Sequence, residues 1–146
     1  MRALMLLLFS LVVSNPVYAE SKMITKKSSH SVAVTMDRLE AALKEKEIGV
    51  VARVDHAAAA KKADMELKPT QVLIFGNPKL GTPLMQSNPK SGLDLPLKVL
   101  AWEDEKGQVW LSYNGPAWLQ RRHGLSDELV KNVAGVAGLV QQAAGP

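Results

Sequence analysis

The chain has 146 residues, no cysteine and a formal net charge of +4, from 18 Lys and Arg against 14 Asp and Glu. That length suits one domain, and the missing cysteines exclude thiol nucleophiles, Cys-ligated zinc and thiol redox chemistry. A positive excess this small, with no basic stripe carrying interleaved aromatics, argues for solubility and against nucleic acid as a partner.

In chain order, Arg2 gives a short positive start, Ala3 to Val13 is apolar but for Ser10, Ser14-Asn15-Pro16 breaks any helix, and Val17-Tyr18-Ala19 places small residues before Glu20. This is the layout of a cleavable secretory signal over 1–19, cut after Ala19. The apolar run is short for a hydrocarbon core of about 30 Å. The protein is therefore expected to be exported, periplasmic or secreted, with no stable membrane insertion once the signal is gone. Residues 20–29, with Lys22, Lys26 and Lys27, read as a flexible polar lead-in, and 30–143 as the domain.

Val32 and Val34 alternate within His30–Val34 and suit a first strand. Thr35 then caps a helix over 36–47, whose Met36, Leu39, Ala42 and Leu43 share one face and which Gly49 ends. Val50 to Asp55 alternates as a second strand and runs into a short alanine–lysine helix, Ala57 to Lys62. At that junction Asp55 is either a helix cap or a ligand. Val72 to Phe75 is a run of four apolar residues that reads as a strand buried on both faces. It stops at Gly76-Asn77-Pro78 and meets a second break at Gly81-Thr82-Pro83, with helical turns over 80–86 that Pro83 either breaks or begins.

Asn88 to Gly92 is a loop. Leu95–Trp102 and Val109–Tyr113 form a hairpin around Asp104–Gly107. Asn114-Gly115-Pro116 opens a short helix with Trp118 and Leu119 inward, Arg121 and Arg122 outward, and Gly124 as its end. Ser126 caps a last helix with a stripe of Leu129, Val130, Val133, Ala137 and Val140. Its small residues Ala134, Gly135, Ala137 and Gly138 allow close approach, either to the sheet or to a second copy. The order predicts an α+β or α/β two-layer sandwich: a mixed five-stranded sheet, its first two strands parallel through a right-handed crossover, with helices mostly on one face.

Val54-Asp55-His56-Ala57, Pro69-Thr70 to Phe75-Gly76-Asn77-Pro78, Gly81-Thr82-Pro83-Leu84-Met85, Gly92-Leu93-Asp94-Leu95-Pro96-Leu97, Trp102-Glu103-Asp104, Tyr113-Asn114 and Arg122-His123-Gly124-Leu125 together resemble the domain-of-unknown-function family 302. The resemblance runs over about 31–125 and, more loosely, the final helix. It implies a compact two-layer α/β domain, often dimeric, found both exported and in the cytosol. It implies no activity, because the family has none assigned. Where the family often carries an acidic residue after the Tyr-Asn pair, this chain has Gly115, which weakens any metal site using that position.

The ligand-binding candidates are Asp55, His56, Gly76, Asn77, Thr82, Asp94, Glu103, Asn114 and His123, with Arg122 beside the last. They are expected to converge at one end of the sheet, where open α/β sheets bind ligands. One reading is a non-catalytic module that binds a small anion, metabolite or metal at the rim of Gly76-Asn77-Pro78 and Asp55-His56. The other is a small metal-assisted or acid–base enzyme using His56, His123 and a carboxylate, Asp55 or Glu103. No His-x-x-x-His pair, Gly-x-Ser-x-Gly elbow, Gly-x-Gly-x-x-Gly turn or P-loop accompanies them. His123 at a helix C-terminus is favoured without any ligand, and Asn77 before Pro78 either bonds its own backbone or meets a ligand. Trp110, Trp118 and the small-residue helix are candidates for a homodimer contact. The sequence specifies neither a cofactor nor a catalytic residue.

Overall fold

The computed structural model describes residues 23–146; the expected signal over 1–19 and the first lead-in residues lie outside that range. The elements run β1 (Ile24–Ser28), α1 (Val32–Glu45), β2 (Gly49–Asp55), α2 (His56–Lys62), β3 (Thr70–Gly76), α3 (Pro78–Ser87), a 3-10 turn (Pro89–Leu93), β4 (Leu97–Glu103), β5 (Val109–Tyr113), α4 (Pro116–His123), α5 (Asp127–Val130), a second 3-10 turn (Lys131–Val133) and α6 (Val136–Ala144). The strands form one sheet in the order β1-β5-β4-β3-β2.

The start of the domain differs from the sequence expectation. Residues 30–34 are not a strand: Ser31 caps α1 by accepting from the Val34 N–H. Val32 then falls on the buried helix face while Val34 is 44% exposed. The first strand lies earlier, inside the stretch read as a flexible lead-in, and pairs with β5 from Ile24 opposite Tyr113 to Ser28 opposite Val109. Its Ile-Thr-Lys-Lys-Ser sequence carries no apolar alternation because it is an edge strand, where lysines are tolerated and discourage further pairing.

Every neighbouring pair is antiparallel, which corrects the mixed sheet. β1 and β2 sit at opposite edges, so they are not neighbours. α2 and α3 link strands that turn back beside their predecessors, and antiparallel neighbours need no crossover.

One face of the sheet is covered. Leu73 and Phe75 of β3, Val99 and Ala101 of β4, and Leu111 of β5 pack against α1 through Met36, Leu39 and Leu43, and against α6 through Val136, Leu139 and Val140. This is the expected two-layer sandwich. The alternate side chains Val72, Ile74, Leu100, Trp102 and Trp110 lie on the other face and are half-buried. β3 is thus buried on one side, not both. A second, smaller cluster joins Leu84, Leu119, Leu125 and Val133 to Leu95, Leu97 and Trp118 at the Leu97 end of the sheet. The expected single last helix is broken at Ala134-Gly135 into α5, a 3-10 turn and α6. Ala137 of its expected stripe is exposed, while Val140 of that stripe is buried together with Val136, Leu139 and Ala143.

The β4–β5 hairpin forms as the sequence suggests, with Gly107 at φ 77 in its turn. Asp104 organises it. Its Oδ2 accepts from the Trp110 indole N–H at 2.9 Å, and its Oδ1 accepts from the backbone N–H groups of Lys106 and Gln108. These bonds, the indole's foremost, hold the Asp104 carboxyl below its usual range. A carboxyl with a depressed folded pKa stabilises above its unfolded value near 3.8 and loses that contribution as pH falls through its folded value. Tryptophan emission is therefore expected to change on acidification below that point. The Asp104→Asn variant should flatten this step, whereas an unchanged acid profile would show that the bond network does not govern the hairpin.

Candidate functional site

The nine candidates named from the sequence occupy separate regions. Asp55, His56 and Glu103 lie at one end of the sheet. Both Asp55 oxygens are engaged there: Oδ1 caps α2 by accepting from the Ala58 N–H at 2.9 Å, and Oδ2 accepts from Gln71 Nε2 at 3.0 Å. Gln71 in turn accepts from Arg53 Nε at 2.9 Å, and Arg53 Nη1 bonds Asp37 at 2.6 Å and Glu40 at 3.3 Å. Partial burial opposes the Arg53 charge, but bonds to those two carboxylates outweigh it and raise its pKa. Asp55 is therefore a helix cap tied into a structural network. His56 is exposed at the start of α2. An open groove of about 1050 Å³ lies beside them, lined in part by Lys61, Thr70, Trp102 and Glu103.

Gly76 and Asn77 lie at the other end. The β2–β3 register pairs Asp55 with Gln71 but Gly49 with Gly76, so a seven-residue strand separates the two places by about 20 Å. The rim expected to join Asp55-His56 to Gly76-Asn77-Pro78 does not form. Asn77 Oδ1 accepts from the Lys79 N–H at 2.9 Å and caps α3, with Pro78 in the first turn. α3 runs through Pro83, and Thr82 is exposed on it. Gly76 allows β3 to pass close to Pro96, whose Cβ would stand 3.2 Å from any added Cβ. Asn114 is exposed at the end of β5. Gly115, where the resemblance implies an acidic residue, is the N-cap of α4 and meets Ile24, whose Cδ1 would lie 2.5 Å from a Cβ there.

A third region joins two of the candidates directly. Asp94 Oδ2 receives His123 Nε2 at 2.6 Å and Arg122 Nε at 2.9 Å. The His123 side chain is 4% exposed and that of Asp94 17%. Asn88 Nδ2 donates to the His123 carbonyl at 2.9 Å, and Arg122 lies over the Trp118 ring at 5.0 Å. His123 closes α4 before Gly124 at φ 62, as the sequence suggests. Asp94 precedes β4, while His56 follows the far end of β2, so the two imidazoles are on the order of 20 Å apart by strand length. Among the described residues there is no group of three or more His, Cys, Asp and Glu able to hold a metal. The metal-assisted pairing of His56 with His123 therefore does not assemble.

The structure also contains a cleft that the sequence did not reveal. It lies between the Gly76–Pro78 end of β3, α3, the segment before β4, the second 3-10 turn and α6, and encloses about 460 Å³. Phe75, Val136 and Leu139 form its buried floor, at 1%, 3% and 2% exposure. Val51, on the bulge where β2 shifts register between Val50 and Ala52, turns outward at its mouth. The consecutive Val50-Val51 pair, interrupting the strand alternation, is the one sequence signal for that bulge.

The model of the family described as "Domain of unknown function DUF302" matches residues 24–142. The chain belongs to the DUF302 family. A crystal structure of an uncharacterized conserved DUF302 protein from Bacillus stearothermophilus superposes on this DUF302 chain with a TM-score of 0.68 at 20% identity, covering 84% of this chain and 94% of that one. The likeness establishes the shared fold. Among curated relatives, the protein called fluoride-specific ion channel FluC 1 of Brucella suis is 48% identical over 130 residues, covering 86% of this chain and 51% of that protein. Its namesake from Brucella abortus is also 48% identical, with 48% of its length covered. This DUF302 chain thus spans about half the length of the curated relatives it matches. Among its described residues no helix is long and apolar enough to cross a membrane.

Proposed function

We propose that this protein is an exported, non-catalytic module that binds a small molecule in the cleft beside Gly76, Asn77 and Pro78. The observation that supports this reading most is the cleft itself. Its volume of about 460 Å³ lies within the roughly 300–1,000 Å³ usual for small-molecule sites, and its floor belongs to the main core. Of the candidate side chains elsewhere, Asp55 is engaged as a cap, and Asp94 with His123 as a brace. A thermal-shift screen of the mature chain against metabolites, metals and anions tests the reading. Binding at a hundred times Kd adds about 2.7 kcal/mol, which should raise the melting temperature by on the order of 10 °C. No shift with any compound would count against it. Export is tested separately by recovering the protein outside the cytoplasm with Glu20 as its first residue.

The Brucella relatives favour a second reading, in which this module works with an ion channel. In those proteins a matching unit occupies about half of a chain named as a fluoride-specific ion channel. Co-expression with such a channel should alter fluoride release from loaded vesicles; equal release with and without the module would dismiss the idea.

A further inference from the structure

Resting on the reading of the cleft as a ligand site, we propose that its ligand is a single uncharged, largely apolar small molecule with one hydrogen-bonding group, and not an ion. No Asp, Glu, Lys, Arg or His lines the cleft. An anion, a metal or a zwitterion seated on its aliphatic and aromatic floor would lose hydration without gaining a counter-charge, a penalty that grows steeply for an unpaired charge. Fluoride itself is thereby excluded from this site. The shape points the same way, since Val51 and Leu80 stand at the mouth with 65% and 38% exposure and a bound apolar body would remove them from water.

The polar side chains in the wall are two carboxamides. Asn77 Oδ1 is occupied by the Lys79 N–H, and Asn132 Nδ2 donates to the Leu80 carbonyl at 3.2 Å. That leaves the Asn77 amide N–H₂ as a donor and the Asn132 carbonyl oxygen as an acceptor. A hydroxyl or an N–H amide on an otherwise apolar ligand, able both to accept and to donate, complements this pair, and neither residue favours a net charge. Polar wall groups of this kind orient the ligand, while the apolar contact supplies most of the affinity.

Two fluorescent probes with nearly the same body test the proposal on the mature chain: neutral N-phenylnaphthylamine and its anionic relative anilinonaphthalene sulfonate. The neutral probe is expected to bind saturably with one-to-one stoichiometry, and the sulfonate more weakly by on the order of tenfold or more. Gly81→Leu should abolish binding by filling the cleft. A Cβ at Gly81 meets Leu95 at an ordinary 3.9 Å, so this variant should keep its fold and melting temperature. Val51→Glu, at an exposed position, should weaken the neutral probe by placing a charge at the mouth.

Equal affinity for the two probes, or stabilisation by fluoride, phosphate or zinc that Gly81→Leu removes, would overturn the neutral-ligand proposal and leave the binding reading standing. Neutral-probe binding that Gly81→Leu leaves intact would place the probe elsewhere and overturn the proposal. So would a concentration-dependent dimer in light scattering that Gly81→Leu disrupts, because a second copy would then fill the cleft. Failure of every probe and ion to bind would overturn both the proposal and the binding reading.

Discussion

Phe75→Ala is expected to lower folding stability by about 3–5 kcal/mol, the largest effect of any single substitution considered. Phe75 is 1% exposed and is the largest fully buried side chain among the described residues. It lies on the covered face of β3, the strand flanked by β2 and β4, and packs in the cluster that joins the sheet to α1 and α6. Removing the ring forfeits its transfer free energy and leaves a space that helix and sheet close only in part. With a urea slope of about 1–3 kcal/mol/M, the unfolding midpoint should drop by on the order of 2 M while the slope stays the same. Phe75→Leu, which keeps most of the volume, should cost far less. Because Phe75 also floors the cleft, the leucine variant should remain folded while changing which probes fit. A Phe75→Ala variant within about 1 kcal/mol of the parent would show that the core does not depend on this strand.

Asp94→Ala is expected to cost about 2–3 kcal/mol through a different mechanism. Asp94 Oδ2 is the acceptor for His123 Nε2 and Arg122 Nε. Without the carboxylate, the His123 side chain, 4% exposed, keeps a buried ring nitrogen with its partner gone. An orphaned buried polar group is penalised by its full desolvation. Arg122 is 47% exposed and is rehydrated easily, so Arg122→Ala should cost under about 1 kcal/mol. Asp94→Asn, which preserves an acceptor oxygen, should fall between the two. Urea unfolding of the three variants checks the ranking. Equal and small losses for Asp94→Ala and Arg122→Ala would show that this corner is not a brace between the Pro89–Leu93 turn and α4.

Much of the local structure was legible from residue order. The α1 stripe of Met36, Leu39, Ala42 and Leu43, the β4–β5 hairpin around Gly107, the end of α4 at Gly124 and the bond of Asn77 to its own backbone each follow from interactions within a few residues. The edge strand β1 was not, because pairing on one side alone imposes little apolar pattern on Ile24–Ser28. Nor was the break at Gly135, since the stripe of residues 129–140 reads as continuous and its interruption answers to packing beneath it.

The candidate site was legible in its parts and not in its assembly. Asp94 and His123 were both singled out, but their contact spans a separation that no local spacing encodes. Asp55 was recognised as a possible cap and is one, and Asn77, read as bonding its own backbone, does so as the cap of α3. Their expected convergence failed because β2 and β3 are antiparallel neighbours, so the end of β2 and the end of β3 lie at opposite ends of the sheet. The cleft draws Val51, Leu80, Leu95 and Val136 from four separate segments, and each looks like ordinary core when read alone.

The amino-acid sequence by itself determined the caps at Asp55 and Ser126, the hairpin and its turn, the family resemblance and the absence of thiol chemistry. Those depend on composition, or on bonds and periodicities that act within a turn or a strand. The cap of α1, by contrast, is Ser31 and not the expected Thr35. The tertiary structure alone decided that β1 and β2 lie at opposite edges, that one sheet face stays open, and that Asp94 meets His123 while Asp55 remains far from Gly76. These outcomes are set by packing between segments distant in the chain, where many local patterns are equally compatible and the burial of the whole core selects among them.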